Sequence, residues 1–145
     1  MRAVVQRVTH GQVSVNSRII AEIGLGLVIL LGVEKDDDQS KAAMLARKIA
    51  NLRIFNDIKG KMNLSVLDIK GVAIVVSQFT LMADTRKGNR PSFIEAAPPK
   101  LAHPLVNFFH EELNKLGIPA QKGEFGAHML VEIANDGPVT IELQM

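Results

Sequence analysis

At 145 residues the chain has the length of one domain, and an apolar fraction of 47% supplies a real hydrophobic core. It has no cysteine, which excludes disulfide scaffolds, thiolate zinc sites, iron–sulfur clusters and cysteine nucleophiles. Seventeen Lys and Arg against fifteen Asp and Glu leave a net charge of +2, so any polyanion contact has to come from a local patch and not from a basic protein.

The opening stretch, MRAVVQRVTHGQVSV, alternates polar and apolar residues and has no charged head ahead of an apolar core, unlike a signal peptide. Val4, Val5 and Val8, then Val13 and Val15, predict two short strands broken at Gly11, with Ala3, Val5 and Arg7 on one face. Ile19, Ile20 and Ile23 predict a third. Leu25 to Val33 is a nine-residue apolar run, half of what spans a bilayer, and reads as a strand buried on both faces. Asp36, Asp37 and Asp38 form an acidic loop, explained by the electrostatics of a helix N-terminus. Ala42, Leu45, Ile49 and Leu52 recur at helical spacing, with Arg47, Lys48 and Arg53 late in the segment.

Asn56 to Met62 is a turn-rich connector, and Gly71 to Ser77 a second buried strand. Residues 83–100 carry charge, glycine and three prolines, a long irregular loop of the kind that is usually functional. A second helix is expected over 101–116, with Leu105, Phe108, Phe109, Leu113 and Leu116 on one side and Gly117 and Pro119 as its stop. Met129–Ala134 and Val139–Leu143 form a last strand pair around Asn135-Asp136-Gly137-Pro138. The expectation is a single α/β domain over 1–145, strand-rich, with mixed and antiparallel sheets and two main helices packed on them. A soluble cytoplasmic protein without membrane contact follows.

Three segments put polar groups where a bland fold has no need of them. Ser77-Gln78-Phe79-Thr80-Leu81 lies at the exit of a buried strand, where α/β proteins commonly build sites. The same residues also suit a strand end that satisfies loop backbone. Asn135 to Thr140 contains Asp-Gly and Gly-Pro, which an ordinary hairpin turn accounts for; Gly-Pro also tolerates a cis bond at about 0.5–1 kcal/mol. Gly123-Glu124-Phe125-Gly126-Ala127-His128-Met129 lets backbone approach a ligand beside the apolar Phe125 and Met129, or serves as a bulged strand entering the sheet. Lys87 and Arg90, in KGNRP, are a weaker phosphate-binding pair. His103 and His110 stand seven apart without a carboxylate at matching spacing, so no metal site is expected. G-x-S-x-G, Walker and dinucleotide motifs are absent, and no cofactor is expected.

These segments, with MRAVVQRV, GLVILLGV, KIANLRIFND, KGNRPSF and NDGPVTI, resemble the D-aminoacyl-tRNA deacylase family nearly end to end. SQFTL and the Gly-Pro of NDGPVTI match the family's two signature motifs. The resemblance implies hydrolysis of the ester between a D-amino acid, or glycine mischarged on tRNA(Ala), and the terminal adenosine of tRNA. It further implies a homodimer with active sites at the subunit interface, in which Gly137 and Pro138 enter the partner's site and exclude an L side chain. Arg7 would hold that element. Ser77, Gln78, Phe79 and Thr80 would line the catalytic pocket, and Phe125, Gly126, Ala127 and Met129 would border the adenosine. The partner is therefore tRNA at its 3′-terminal aminoacyl-adenosine, with Lys87 and Arg90 on its phosphates, and not DNA. A noncatalytic RNA-binding module and a general small-ester hydrolase are the competing readings.

Overall fold

In the computed structural model, which describes residues 1–145, the N-terminal valines lie on one long strand, β1 (Arg2–Val15), and not on two short runs. Gly11 does not break it, because the glycine packs inside the ladder: a Cβ there would fall 2.6 Å from Val28 Cγ2. Asn16 and Ser17, at φ 51° and 63°, close a two-residue hairpin into β2 (Arg18–Ile23). Positive φ at both turn positions matches the twist of the paired strands. β3 (Gly26–Gly32) runs antiparallel to the first half of β1, from Val8↔Gly26 to Arg2↔Gly32.

Helix α1 (Gln39–Ala50) begins at Asp38, whose side chain accepts the Lys41 N–H at 2.9 Å, and ends with Arg47 and Lys48 in its last turn. That is the expected helix-terminus electrostatics for Asp38. Asp37 behaves differently. It is buried, accepting the Met1 ammonium at 2.6 Å and the Glu34 N–H at 2.6 Å. The predicted turn connector carries a small ribbon, β4 (Phe55–Asn56) with β5 (Met62–Leu64).

β6 (Val72–Ser77) then lies parallel to β3, and a single 3₁₀ turn (Phe79–Met82) follows at its exit. Helix α2 (Pro99–Lys115) starts two residues before the predicted boundary, since Pro99 occupies the first turn, where its missing N–H costs nothing. Gly117, at φ 93°, terminates it. A short β7 (Ala120–Lys122) extends the sheet parallel to β6, giving the order β2-β1-β3-β6-β7.

The C-terminal segment departs from the expected strand pair. It is one strand, β8 (Leu130–Gln144), antiparallel to β1 along its whole length. Leu130–Asn135 lie opposite Ser14–Val8, and Thr140–Gln144 opposite Gln6–Arg2. Asn135 to Val139 therefore make no hairpin; the chain bulges outward opposite Arg7 and resumes the same ladder. The reason is the length of β1, whose free edge accommodates both halves of β8.

Both faces of the sheet are covered. Ala3, Val5, Leu27, Ile29, Leu31, Ala73 and Val75 pack against the helices, where Leu45, Ile49, Phe109 and Leu113 are fully buried. Each such side chain contributes about 1.5–3 kcal/mol. On the other face Val8, Val13, Val28, Ile74 and Val76 meet Ala21 and Ile23, because β2 and the end of β1 curl over the sheet. The continuous apolar patterns of β3 and β6 thus reflect burial on both sides, as read from the sequence. The strand-rich α/β architecture with two main helices agrees with expectation. No helix is long and apolar enough to cross a membrane.

Candidate active site

The sheet ends in glycine where the site begins. A Cβ on Gly32 would lie 2.4 Å from Met82 Cε, 3.1 Å from the Gln78 carbonyl oxygen and 3.1 Å from Leu81 Cβ. Only glycine lets the 3₁₀ turn settle on the end of β3. Gln78 N–H donates to the Leu31 carbonyl at 2.8 Å, so the SQFT segment is tied to the sheet before it turns away. The N–H groups of Phe79 and Thr80 open this turn and have no intrahelical acceptor.

A cavity of about 270 Å³ opens here. Ser77, Gln78 and Phe79 line one side, and Phe125, Gly126, Ala127, His128 and Met129 the other. Val33, Val76, Ala102 and Val131 supply an apolar floor. Gly126, at φ 79°, permits the sharp bend that turns its neighbours toward the cavity. The structure thus brings together two of the segments singled out in the sequence, although they are far apart along the chain.

Thr80 does not line the cavity. The Gln78 side-chain amide donates to Thr80 Oγ1, which makes that oxygen an acceptor and gives it no base. No carboxylate lines the cavity, and His128, which the sequence reading passed over, is its only imidazole. Its signal was present, as one of four histidines and inside a glycine-rich segment. No cluster of three or more His, Asp or Glu side chains is placed to hold a metal ion.

Gly137 and Pro138 stand elsewhere. Gly137 lies six positions beyond Val131 on β8, at most roughly 20 Å of extended chain. Both are exposed, and their peptide bond is cis. Arg7, 6% exposed, reaches across from β1 and holds the bulge. Its guanidinium donates to the Ile54 carbonyl at 2.7 Å and to the Asp136 carbonyl at 3.2 Å, and pairs with the Asp136 carboxylate at 3.0 Å. Asn135 completes the brace: its side-chain oxygen accepts the Val139 N–H at 3.0 Å, and its amide nitrogen donates to Gln6.

Lys87 and Arg90 are exposed on the loop after the 3₁₀ turn, outside the cavity. The loop is pinned at its base by the Asp84↔Ser92 bridge and by an Asp84–Arg86 pair at 2.8 Å. Hydrogen bonds from Arg86 hold the Asp84 carboxyl down at about 2. Phe93 meets Phe79 edge-on at 5.1 Å, which ties this loop to the cavity rim.

A family model described as D-Tyr-tRNA(Tyr) deacylase matches residues 4–144. The chain is 57% identical over 143 residues to a D-aminoacyl-tRNA deacylase of Thermomicrobium roseum, covering 99% of this chain and 93% of that one. It is 52% identical to another from Idiomarina loihiensis over the full length of both. Among solved structures, a c-Myc DNA unwinding element binding protein superimposes with a TM-score of 0.95 at 45% identity, covering 100% and 99% of the two chains. A probable eukaryotic D-amino acid tRNA deacylase superimposes at 0.86 with 14% identity over 98% and 97%, a likeness of fold. The protein is therefore an enzyme, a hydrolase of carboxylic ester bonds. It belongs to the D-aminoacyl-tRNA deacylase family.

Proposed function

We propose that this chain carries out its family's ester hydrolysis as a chiral filter at a subunit interface. It releases D-amino acids, and glycine mischarged on tRNA(Ala), from the terminal adenosine of tRNA and rejects L-aminoacyl esters. One observation carries the reading: Gly137 and Pro138 are held by buried Arg7, yet they are exposed and line no part of their own chain's cavity. A braced, exposed main-chain element is suited to entering a second protomer. Chirality is a difference of geometry at one carbon, so rigid backbone discriminates better than mobile side chains, and rejection works by clash. Glycine has no side chain to clash and passes the filter.

The interface is supported by β8. Its outer edge is unpaired over 15 residues; Val139, Ile141 and Leu143 against the helix-side core and Val131 and Ile133 against the other are only half-buried. An edge of that length and composition is a template for a second copy. In the dimer the cavity receives the aminoacyl-adenosine between Ser77–Phe79 and Phe125–Met129. Lys87 and Arg90 contact tRNA phosphates, and the reaction takes place in the cytoplasm.

The chemistry uses few side chains. An aminoacyl ester is already activated, so positioning and oxyanion stabilisation by the backbone N–H groups that open the 3₁₀ turn, Phe79 on the cavity lining and Thr80 next to it, suffice, with the substrate's ribose 2′-OH assisting water. Thr80 Oγ1, engaged by Gln78 and lacking a base, is not the nucleophile. Matched D- and L-aminoacyl-tRNAs incubated with purified protein test the proposal by measuring released amino acid. D-selective and glycine release supports it, binding without release identifies an RNA module, and release irrespective of chirality identifies a general hydrolase. A fully active monomer by light scattering refutes the cross-subunit site.

A further inference from the structure

A second cavity, of about 320 Å³, lies next to the first and shares Ser77, Val106 and Phe125 with it. Phe125 is thus a wall common to both. On the far side His103 of α2 stacks on its ring, with centroids 4.8 Å apart and planes at 27°. His103 is exposed, lines the second cavity and has no second aromatic partner. Lys122 of β7 lines the same space; its ammonium donates to Asn107 Oδ1 at 2.8 Å and forms no ion pair. Glu124 lines it as well, its carboxylate likewise without a cationic partner. A cation and a carboxylate, neither in an ion pair, and a stacked aromatic platform therefore surround one space beside the site.

We propose that this second cavity binds the penultimate nucleotide of the tRNA, a cytidine in the 3′-terminal CCA. The inference rests on the deacylase reading, in which the first cavity takes the terminal adenosine. The chain leaving that adenosine then enters the adjoining space across Phe125. Each group in it answers a different part of a cytidine nucleotide. Lys122 meets the phosphate, the outer face of His103 stacks with the base, and Glu124 accepts from the cytosine N4 amino group. Neither a phosphate alone nor a purely apolar ligand explains a cation and a carboxylate together. A cytidine nucleotide uses both.

Two substrates separate the subsite from the catalytic centre: D-aminoacyl-tRNA, which has the penultimate nucleotide, and D-aminoacyl-adenosine, which lacks it. In Lys122→Gln the KM for the tRNA relative to that for the adenosine ester rises roughly tenfold, the scale of one charge-assisted contact. Replacing the penultimate C of the tRNA by U costs the wild-type enzyme at least about tenfold in kcat/KM, and Glu124→Gln narrows that gap to about threefold. An unchanged KM ratio in Lys122→Gln, or equal wild-type rates on the C and U forms, overturns the subsite and leaves the deacylase reading intact. Wild-type protein that releases D-amino acid from neither substrate overturns both. Because the adenosine ester is measured on each variant, misfolding registers as loss on both substrates and not as a changed ratio.

Discussion

Arg7→Met replaces the guanidinium that holds the Gly137–Pro138 bulge with an apolar chain of similar length. Two donor contacts vanish, to the Ile54 carbonyl at 2.7 Å and the Asp136 carbonyl at 3.2 Å. Hydrogen bonds from a charged group are each worth about 1.5–3 kcal/mol. The ion pair to Asp136 adds little, since that carboxylate is 43% exposed and screened by water. The expected loss is about 3–5 kcal/mol, a large part of the roughly 5–15 kcal/mol that holds a typical domain together. With neither Trp nor Tyr in the chain, urea unfolding is followed by far-UV circular dichroism at matched protein concentration. At a slope of about 2 kcal/mol per molar urea, the midpoint falls by about 2 M. Arg7→Lys, which keeps the charge but reaches one acceptor, loses about half as much. A midpoint within about 0.5 M of wild type for Arg7→Met refutes the clamp. Folded Arg7→Met protein also shows lowered discrimination between D- and L-aminoacyl-tRNA.

Gly137→Ala places a Cβ 2.8 Å from Val139 Cγ2 and 3.0 Å from Arg7 Nη2, at φ 121°; a cost of about 1–3 kcal/mol is expected, read from the same urea titration. Asp37→Ala strands the buried Met1 ammonium and the Glu34 N–H, and should destabilise by about 3–5 kcal/mol, seen as a lowered thermal midpoint. Gly32→Ala pushes the Gln78 carbonyl and Leu81 off the end of β3, so deacylation falls more than tenfold while the far-UV spectrum is retained. Thr80→Val keeps appreciable deacylation; complete loss in a folded, substrate-binding dimer would make Thr80 the nucleophile after all. For Asp84 the folded carboxyl titrates near 2, below its ordinary 3.8, so its contribution is present above pH 4 and lost as the pH falls toward 2. Carboxyl NMR titration shows this directly, and Arg86→Ala raises the group only part of the way back, because the backbone N–H at position 86 still donates to Asp84 Oδ1.

The local rules were legible in the chain because they depend on near neighbours. The spacing of Ala42, Leu45 and Ile49 marks α1, and the unbroken apolar runs mark β3 and β6 as strands covered on both faces. The small polar and glycine-rich segments SQFT and FGAHM stood out because nothing in a plain core needs them. What the chain alone misjudged was pairing over distance. Gly11 looks like a breaker until Val28 is seen packed against it, and NDGP looks like a hairpin until β1 is found long enough to pair with both of its flanks. Asp37 reads as one more acid before a helix, and only folding brings the Met1 ammonium to it.

No cysteine, few histidines and a charge near zero suit a cavity lined mainly by apolar side chains, with Ser77, Gln78 and His128 as its polar ones. Composition and local pattern determined the fold class, the helices and the family motifs. Tertiary structure alone decided that SQFT and FGAHM line one cavity, that the Gln78 amide engages the Thr80 hydroxyl, and that Arg7 braces an exposed bulge apart from that cavity. The physical reason is common to all three. Register between strands far apart in the chain is set by the summed packing of both sheet faces, and no single segment carries that sum.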